Sequence, residues 1–167
     1  ALSWTGVGFN DISWSSGPAQ LGYGDGDEAT VIGWGPNSNS RYVTTYFRHT
    51  FDVSDSSAFA ALLVRLLRDD GAVVYLNGTE VFRSNVGGGA PIWPMLALLD
   101  ALPADETSTY YSTNIPAALL LPGPNVLAVE VHQNFVGSTA DLSFALELRG
   151  VESLPVSGPP SIIVQPQ

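Results

Sequence analysis

The chain of 167 residues contains no cysteine, which excludes disulfides, zinc–thiolate sites and thiol catalysis. Lysine is absent as well, so six arginines carry all the side-chain positive charge against sixteen acidic residues, for a net charge of −10. A phosphate backbone is repelled by that balance, and nucleic acid is not an expected partner. No apolar run is long enough to span a bilayer, and no basic stretch opens the chain at Ala1-Leu2-Ser3-Trp4. Neither a membrane span nor a signal peptide is therefore expected. Helical periodicity is weak throughout, and the length suits one domain with one core.

What is present reads as strands and turns. The 17 glycines and 12 prolines are dispersed, and between them lie short runs rich in Val, Thr, Tyr, Phe and Leu, the pattern of an all-β, antiparallel β-sandwich. Strands are predicted over residues 43–53, 62–68, 72–76, 79–83, 108–115, 126–132 and 141–149. In the last, alternation sets Leu142, Phe144, Leu146 and Leu148 on one core-facing side. Asn77-Gly78 is a strong hairpin signal, because both central residues of a type I′ turn need positive φ. Asp69-Asp70-Gly71 supplies a second turn, so residues 62–83 are predicted as three consecutive antiparallel strands. The expected core contains Phe51, Leu63, Leu66, Val74, Leu76, Leu127, Val129, Val131, Phe144 and Leu146. Short helical turns are expected over 55–61, capped by Asp55 or Ser56, and over 116–120. Residues 84–106 form a long connection of the kind that carries function. The module is read as residues 1–150, followed by a Pro-rich linker over 151–167.

Several polar groups offer chemistry. Asp25, Asp27 and Glu28 place three carboxylates in a Gly-punctuated loop. Ca²⁺ takes six to eight oxygens at about 2.3–2.6 Å, so this loop would need backbone carbonyls and a carboxylate from the last strand, Asp141 or Glu147. The competing reading is an acidic surface turn. Arg68, Asp69 and Asp70 either hold Ca²⁺ and sugar hydroxyls together or satisfy turn amides among themselves. His132, Gln133, Asn134 and Asp141 bracket the last loop and either read hydroxyl groups or serve structure. Trp34 and Trp93 are candidates for stacking on a sugar ring, whereas Trp4 and Trp14 are assigned to the core. The sequence holds no G-x-S-x-G elbow, metal-binding His cluster or phosphate loop, so catalysis is not expected.

Four segments carry a family resemblance: Phe9-Asn10-Asp11-Ile12-Ser13-Trp14, Gly22 to Glu28 (GYGDGDE), Arg68 to Gly78 (RDDGAVVYLNG) and Asn125 to His132 (NVLAVEVH). They resemble the galactose-binding-like, jelly-roll accessory modules of large secreted bacterial proteins, which are similar to carbohydrate-binding modules and to the sugar-binding domain of β-galactosidase-like enzymes. The resemblance implies a secreted, extracellular, non-catalytic module, stabilised by Ca²⁺, that directs an attached enzyme or surface protein to a polysaccharide or oligosaccharide. Its glycan-binding residues would be drawn from Trp34, Arg68, Asp69, Asp70, Trp93, His132 and Asn134. Pro159-Pro160-Ser161-Ile162-Ile163-Val164-Gln165-Pro166 resembles the opening strand of bacterial immunoglobulin-like repeats, implying a neighbouring module. The alternatives are a structural or adhesive spacer without a glycan site and, behind it, a small hydrolase. Exposure of Trp34 and Trp93 beside a polar groove favours binding, and their burial favours the spacer.

Overall fold

The computed structural model describes residues 3–153; most of the expected linker and the immunoglobulin-like segment lie outside the described residues. Nine strands are present among the described residues: β1 (Leu21–Tyr23), β2 (Thr30–Val31), β3 (Thr44–Val53), β4 (Phe59–Arg68), β5 (Gly71–Leu76), β6 (Thr79–Ser84), β7 (Tyr111–Pro116), β8 (Gly123–His132) and β9 (Leu142–Glu152). A five-residue helix, α1 (Pro103–Thr107), lies within the long connection. The strands form a five-stranded sheet in the order β2-β1-β9-β4-β7 and a four-stranded sheet in the order β3-β8-β5-β6. All pairings are antiparallel except β1 with β2. The chain is thus an all-β sandwich. No helix among the described residues is long and apolar enough to cross a membrane.

Local sequence explains most boundaries. Asn77 and Gly78 have φ of 53° and 84°, the left-handed pair that a type I′ turn between β5 and β6 requires. Asp55 caps the 3₁₀ turn Ser56–Ala58 by accepting from the Ser57 amide at 2.9 Å, and a second 3₁₀ turn covers Ala117–Leu119. Strand β9 continues through Glu152, which pairs with Phe59, two residues into the stretch read as linker.

The Asp69-Asp70 turn differs from expectation. Strands β4 and β5 do not pair with each other; β4 lies between β9 and β7, and β5 between β8 and β6. The two aspartates therefore form a corner that carries the chain from one sheet to the other. A short acidic turn between two apolar runs has the same local sequence in a hairpin and in such a corner, and only the partners of the flanking strands separate the two cases.

Between the sheets, Leu62, Val64 and Leu66 of β4 pack with Val74, Leu76, Leu127, Val129, Val131, Leu142 and Phe144. Phe51, Leu146 and Leu148 are half-buried against the same cluster. Leu63 is the exception among the expected core residues: the inward face of β4 is the one holding Leu62, Val64 and Leu66, so Leu63 points away from the sandwich interior. The four-stranded sheet is buried on its outer face too, where Val73, Tyr75, Val126 and Ala128 meet Trp4, Val86 and Met95. That double burial is why β5 and β8 read as continuous apolar runs rather than as alternating strands. Arg48 fixes the covering segment, through a 2.8 Å ion pair with Asp11 and hydrogen bonds to the carbonyls of Trp4 and Gly6.

Candidate functional site

The register of the sheets gathers several loops at one end of the sandwich. Arg68 at the end of β4 lies opposite Phe144 near the start of β9, Tyr23 at the end of β1 opposite Leu142, and Gly71 at the start of β5 opposite His132 at the end of β8. The Asp69-Asp70 corner, the loop between β8 and β9, and α1 consequently surround one cavity of about 570 Å³. Among the described residues its wall includes Asp69, Asp70, Asp100, Glu106 and Asp141, without a basic side chain. Asn134, Thr139 and Phe135 complete the mouth.

Glu106 and Asp141 of this wall and Asp25, from the turn after β1, each bring one carboxylate oxygen within 4.8 Å of the others. Gly24 makes this approach possible. It has φ of +121° and lies against Asp141 so closely that a side chain there would collide with the Asp141 Cβ. Asp25 also accepts from the Ser143 hydroxyl at 3.0 Å. In the same cavity wall Asp69 is 2 % exposed, and its Oδ2 is buried without a hydrogen-bond partner. Burial first, and then the neighbouring charge of Asp70, pushes the Asp69 carboxyl up to about 10. Burial likewise raises Asp25 and Glu106, with Asp141 adding to both. Carboxylates crowded in this way are stable only with protons or a cation among them.

The sign of the pH effect follows. Groups with raised folded-state values contribute stability that is complete below their unfolded values, near 4, and is lost as the pH rises toward the folded values. Metal-free protein is expected to melt at a lower temperature at about pH 8 than at about pH 5. Asp11, Asp55 and Glu147 are held below their ordinary values by hydrogen bonds to Arg48, Ser57 and Arg65 respectively, so they act in the opposite sense and only at lower pH. A scan of melting temperature in chelator checks this, and a flat or rising profile between those pH values would count against the assignment.

Of the metal ligands expected from sequence, the structure brings together Asp25 and Asp141 and adds Glu106 from α1. Asp27 is exposed outside the trio. Glu28 spends its carboxylate inside its own turn, accepting from the Asp25 and Gly26 amides at 3.1 and 3.0 Å. Glu147 lies along β9 opposite Arg65 and is engaged by Arg65 and Arg149 at 2.8 and 2.6 Å.

The expected sugar-contacting residues divide similarly. Asp69, Asp70 and Asn134 line the cavity, but Asp70 is also structural: it accepts from the amides of Ala101 and Asn134 at 2.7 and 2.6 Å. Arg68 is buried behind the corner, bonded to Ser84, 3.5 Å from Asp105 and 4.4 Å over the Tyr111 ring, so it anchors α1. His132 is buried, and its Nδ1 lies 2.7 Å from the Met95 carbonyl; a carbonyl only accepts, so Nδ1 carries the proton. Trp34, 40 % exposed, stands edge-on to Tyr23 at 6.0 Å with the Arg41 guanidinium 5.5 Å over its ring. Trp93 is 67 % exposed in the long loop, and neither tryptophan lines the cavity. The aromatic at the mouth is Phe135, 56 % exposed, whose ring lies over Gly137. An exposed aromatic in the polar stretch Gln133-Asn134-Phe135-Val136-Gly137-Ser138-Thr139 was the available signal for it, as Pro103-Ala104-Asp105-Glu106 was for α1, with proline first and acids in the opening turn.

No protein-family model matches this chain, and no curated protein matches it. Among solved structures, it is similar to native α-L-rhamnosidase from Aspergillus terreus, at 18 % identity and a TM-score of 0.46 over 71 % of this chain and 13 % of that one. It is also similar to β-D-mannosidase from Dictyoglomus thermophilum, at 12 % identity and a TM-score of 0.34 over 61 % of this chain and 15 % of that one. The chain thus spans less than a sixth of either enzyme's length.

Proposed function

We propose that this chain is a non-catalytic, Ca²⁺-stabilised carbohydrate-binding module of an exported multimodular protein, directing an attached enzyme or surface domain to polysaccharide. The observation that carries this reading is the convergence of the Asp25, Glu106 and Asp141 carboxylates at a cavity whose wall also holds Asp69, with its unpartnered Oδ2. Hard oxygen ligands from three separate chain segments suit Ca²⁺, whose coordination shell is flexible and large. Asp25, Glu106 and Asp141 would hold it, and the bound ion would supply a positive charge and open coordination positions for hydroxyl oxygens. The cavity volume of about 570 Å³ falls within the roughly 300–1,000 Å³ of small-ligand sites. Phe135 offers an apolar face for the C–H side of a sugar ring, and Asn134 and Thr139 offer hydrogen bonds. A spacer without a glycan site is the second reading, favoured by the way Asp70, Asn134 and His132 spend polar groups on the 95–101 loop.

A glycan array probed with and without Ca²⁺ tests the proposal. Binding is expected only with Ca²⁺, at micromolar to millimolar dissociation constants, because a small open site must order both sugar and loop. Phe135→Ala should weaken binding about tenfold, the loss of roughly 1.4 kcal/mol of stacking, with an unchanged melting temperature. Binding that ignores chelator, or that survives Phe135→Ala undiminished, would place the sugar elsewhere, and an array without hits would leave the spacer.

A further inference from the structure

The six arginines are all committed away from the acidic cavity. Arg48 pairs with Asp11, Arg68 with Asp105 and Arg83 with Glu80, while Arg65 and Arg149 share Glu147. Arg41 donates to the carbonyls of Ser138 and Ala140 and stands over the Tyr23 and Trp34 rings. His132 is buried against the Met95 carbonyl and Glu130, and His49 lies on β3, at a different cavity. Since lysine is absent, the chain has no cation left for its own acidic wall. Among the described residues, none of Asp25, Asp69, Asp70, Asp100, Glu106 and Asp141 takes part in an ion pair.

A buried atom in the same wall also lacks a partner. Asp69 is almost fully buried and lines the cavity, and its Oδ2 has no hydrogen-bond partner. Buried polar atoms in this state are rare in folded proteins and mark a missing donor. Ca²⁺ at Asp25, Glu106 and Asp141 would not supply all that is missing: two positive charges meet three carboxylates, and Asp70 and Asp100 remain unbalanced on the rest of the wall. The Asp70 oxygens accept from two main-chain amides, which carry no net charge, and Asp100 is exposed. The ligand that completes the wall is therefore a cation with hydrogen-bond donors. A primary ammonium has one charge and three donors in a compact head. At the mouth the exposed Phe135 ring adds a face for C–H groups, which a bare amine would leave unused.

We propose that the cavity selects amino sugars, with one sugar ring on Phe135 and its protonated amine at Asp70 and Asp100 as the counter-ion the chain lacks. The proposal rests on the carbohydrate-binding reading and names its substrate class, a polysaccharide bearing free amines. Charge excludes the opposite class, because uronic acids and sulfated sugars would bring negative groups to a wall of carboxylates. N-acetylation removes the selection too, since the amide is neutral and its nitrogen keeps one donor. The mouth is open to water, so the charge contributes selectivity rather than tight binding.

The probes are a β-1,4-linked glucosamine tetramer and its fully N-acetylated counterpart, which share ring, linkage and every hydroxyl. Calorimetric titration in Ca²⁺ at about pH 6, where the amine is protonated, is expected to show the free-amine tetramer binding at least about tenfold more tightly. Asp100→Asn should weaken that tetramer about two- to fivefold and leave the acetylated one unaffected. Raising salt from about 20 to about 500 mM should narrow the difference between the two. Two-dimensional amide spectra should shift at residues 100–101 and 134–139. Spermine, with as many amines and no sugar ring, should bind more weakly and ignore Phe135→Ala. The proposal is overturned if the two tetramers bind equally, if the acetylated one binds more tightly, if neither binds, if the shifts map elsewhere, if Asp100→Asn changes nothing, or if spermine binds as well. The melting temperature with and without Ca²⁺ is read on the same protein. Equal binding of both tetramers with the Ca²⁺ response retained fails this inference alone, and an amine preference without any Ca²⁺ response fails the metal reading alone.

Discussion

Leu66→Ala is expected to destabilise the domain by about 2–5 kcal/mol, while Leu63→Ala, three residues earlier on the same strand, is expected to cost about 1 kcal/mol or less. Leu66 is fully buried between the sheets and packs in the cluster that holds Val74, Val129 and Phe144. Removing its branched end leaves a cavity that rigid strands on both sides cannot close. Leu63 faces outward between Asn114 and Arg149 on the neighbouring strands, and water already reaches it. Urea titration of both variants checks the difference. Equal losses, or a larger loss at Leu63, would mean that β4 is shifted by one residue, since such a slip exchanges the two faces of the strand.

Saturating Ca²⁺, at about one hundred times its dissociation constant, should stabilise metal-stripped protein by about 2.7 kcal/mol, or roughly 5–10 °C in melting temperature for a domain of this size. The variants separate the three-segment site from the turn after β1. Glu106→Gln and Asp141→Asn should each abolish most of the response. In the absence of metal, both should be at least as stable as the parent, because each removes one member of a mutually repelling cluster. Asp27→Ala should respond to Ca²⁺ as the parent does, because Asp27 lies outside the trio. Identical melting curves in chelator and in Ca²⁺ would eliminate the cation, and loss of the response in Asp27→Ala alone would return the site to the turn.

Particular residues show which features local sequence could determine. The type I′ turn at Asn77-Gly78 was legible because it depends on φ at two residues and on nothing remote. The strands 43–53, 126–132 and 141–149 were legible because their side chains alternate or are strongly β-prone, and the cap at Asp55 depends on atoms two residues apart. The exposed face of Leu63 was not legible, because the run Leu62-Leu63-Val64 is apolar on both sides and strand pairing alone chooses the inward face. The turn Gly24-Asp25-Gly26-Asp27-Glu28 announced a concentration of acid but not which carboxylate would face the cavity.

The sequence by itself therefore determined the all-β class, the main strands and the short turns, since each rests on interactions a few residues long. Only the tertiary structure decided that Asp69 and Asp70 form a corner between sheets, and that Glu106 joins Asp25 and Asp141. These features depend on segments far apart in the chain, such as Asp25 with Asp141 and Arg68 with Phe144. Their placement is set by strand order and by burial of one sheet against the other, and residue type restricts that order only weakly.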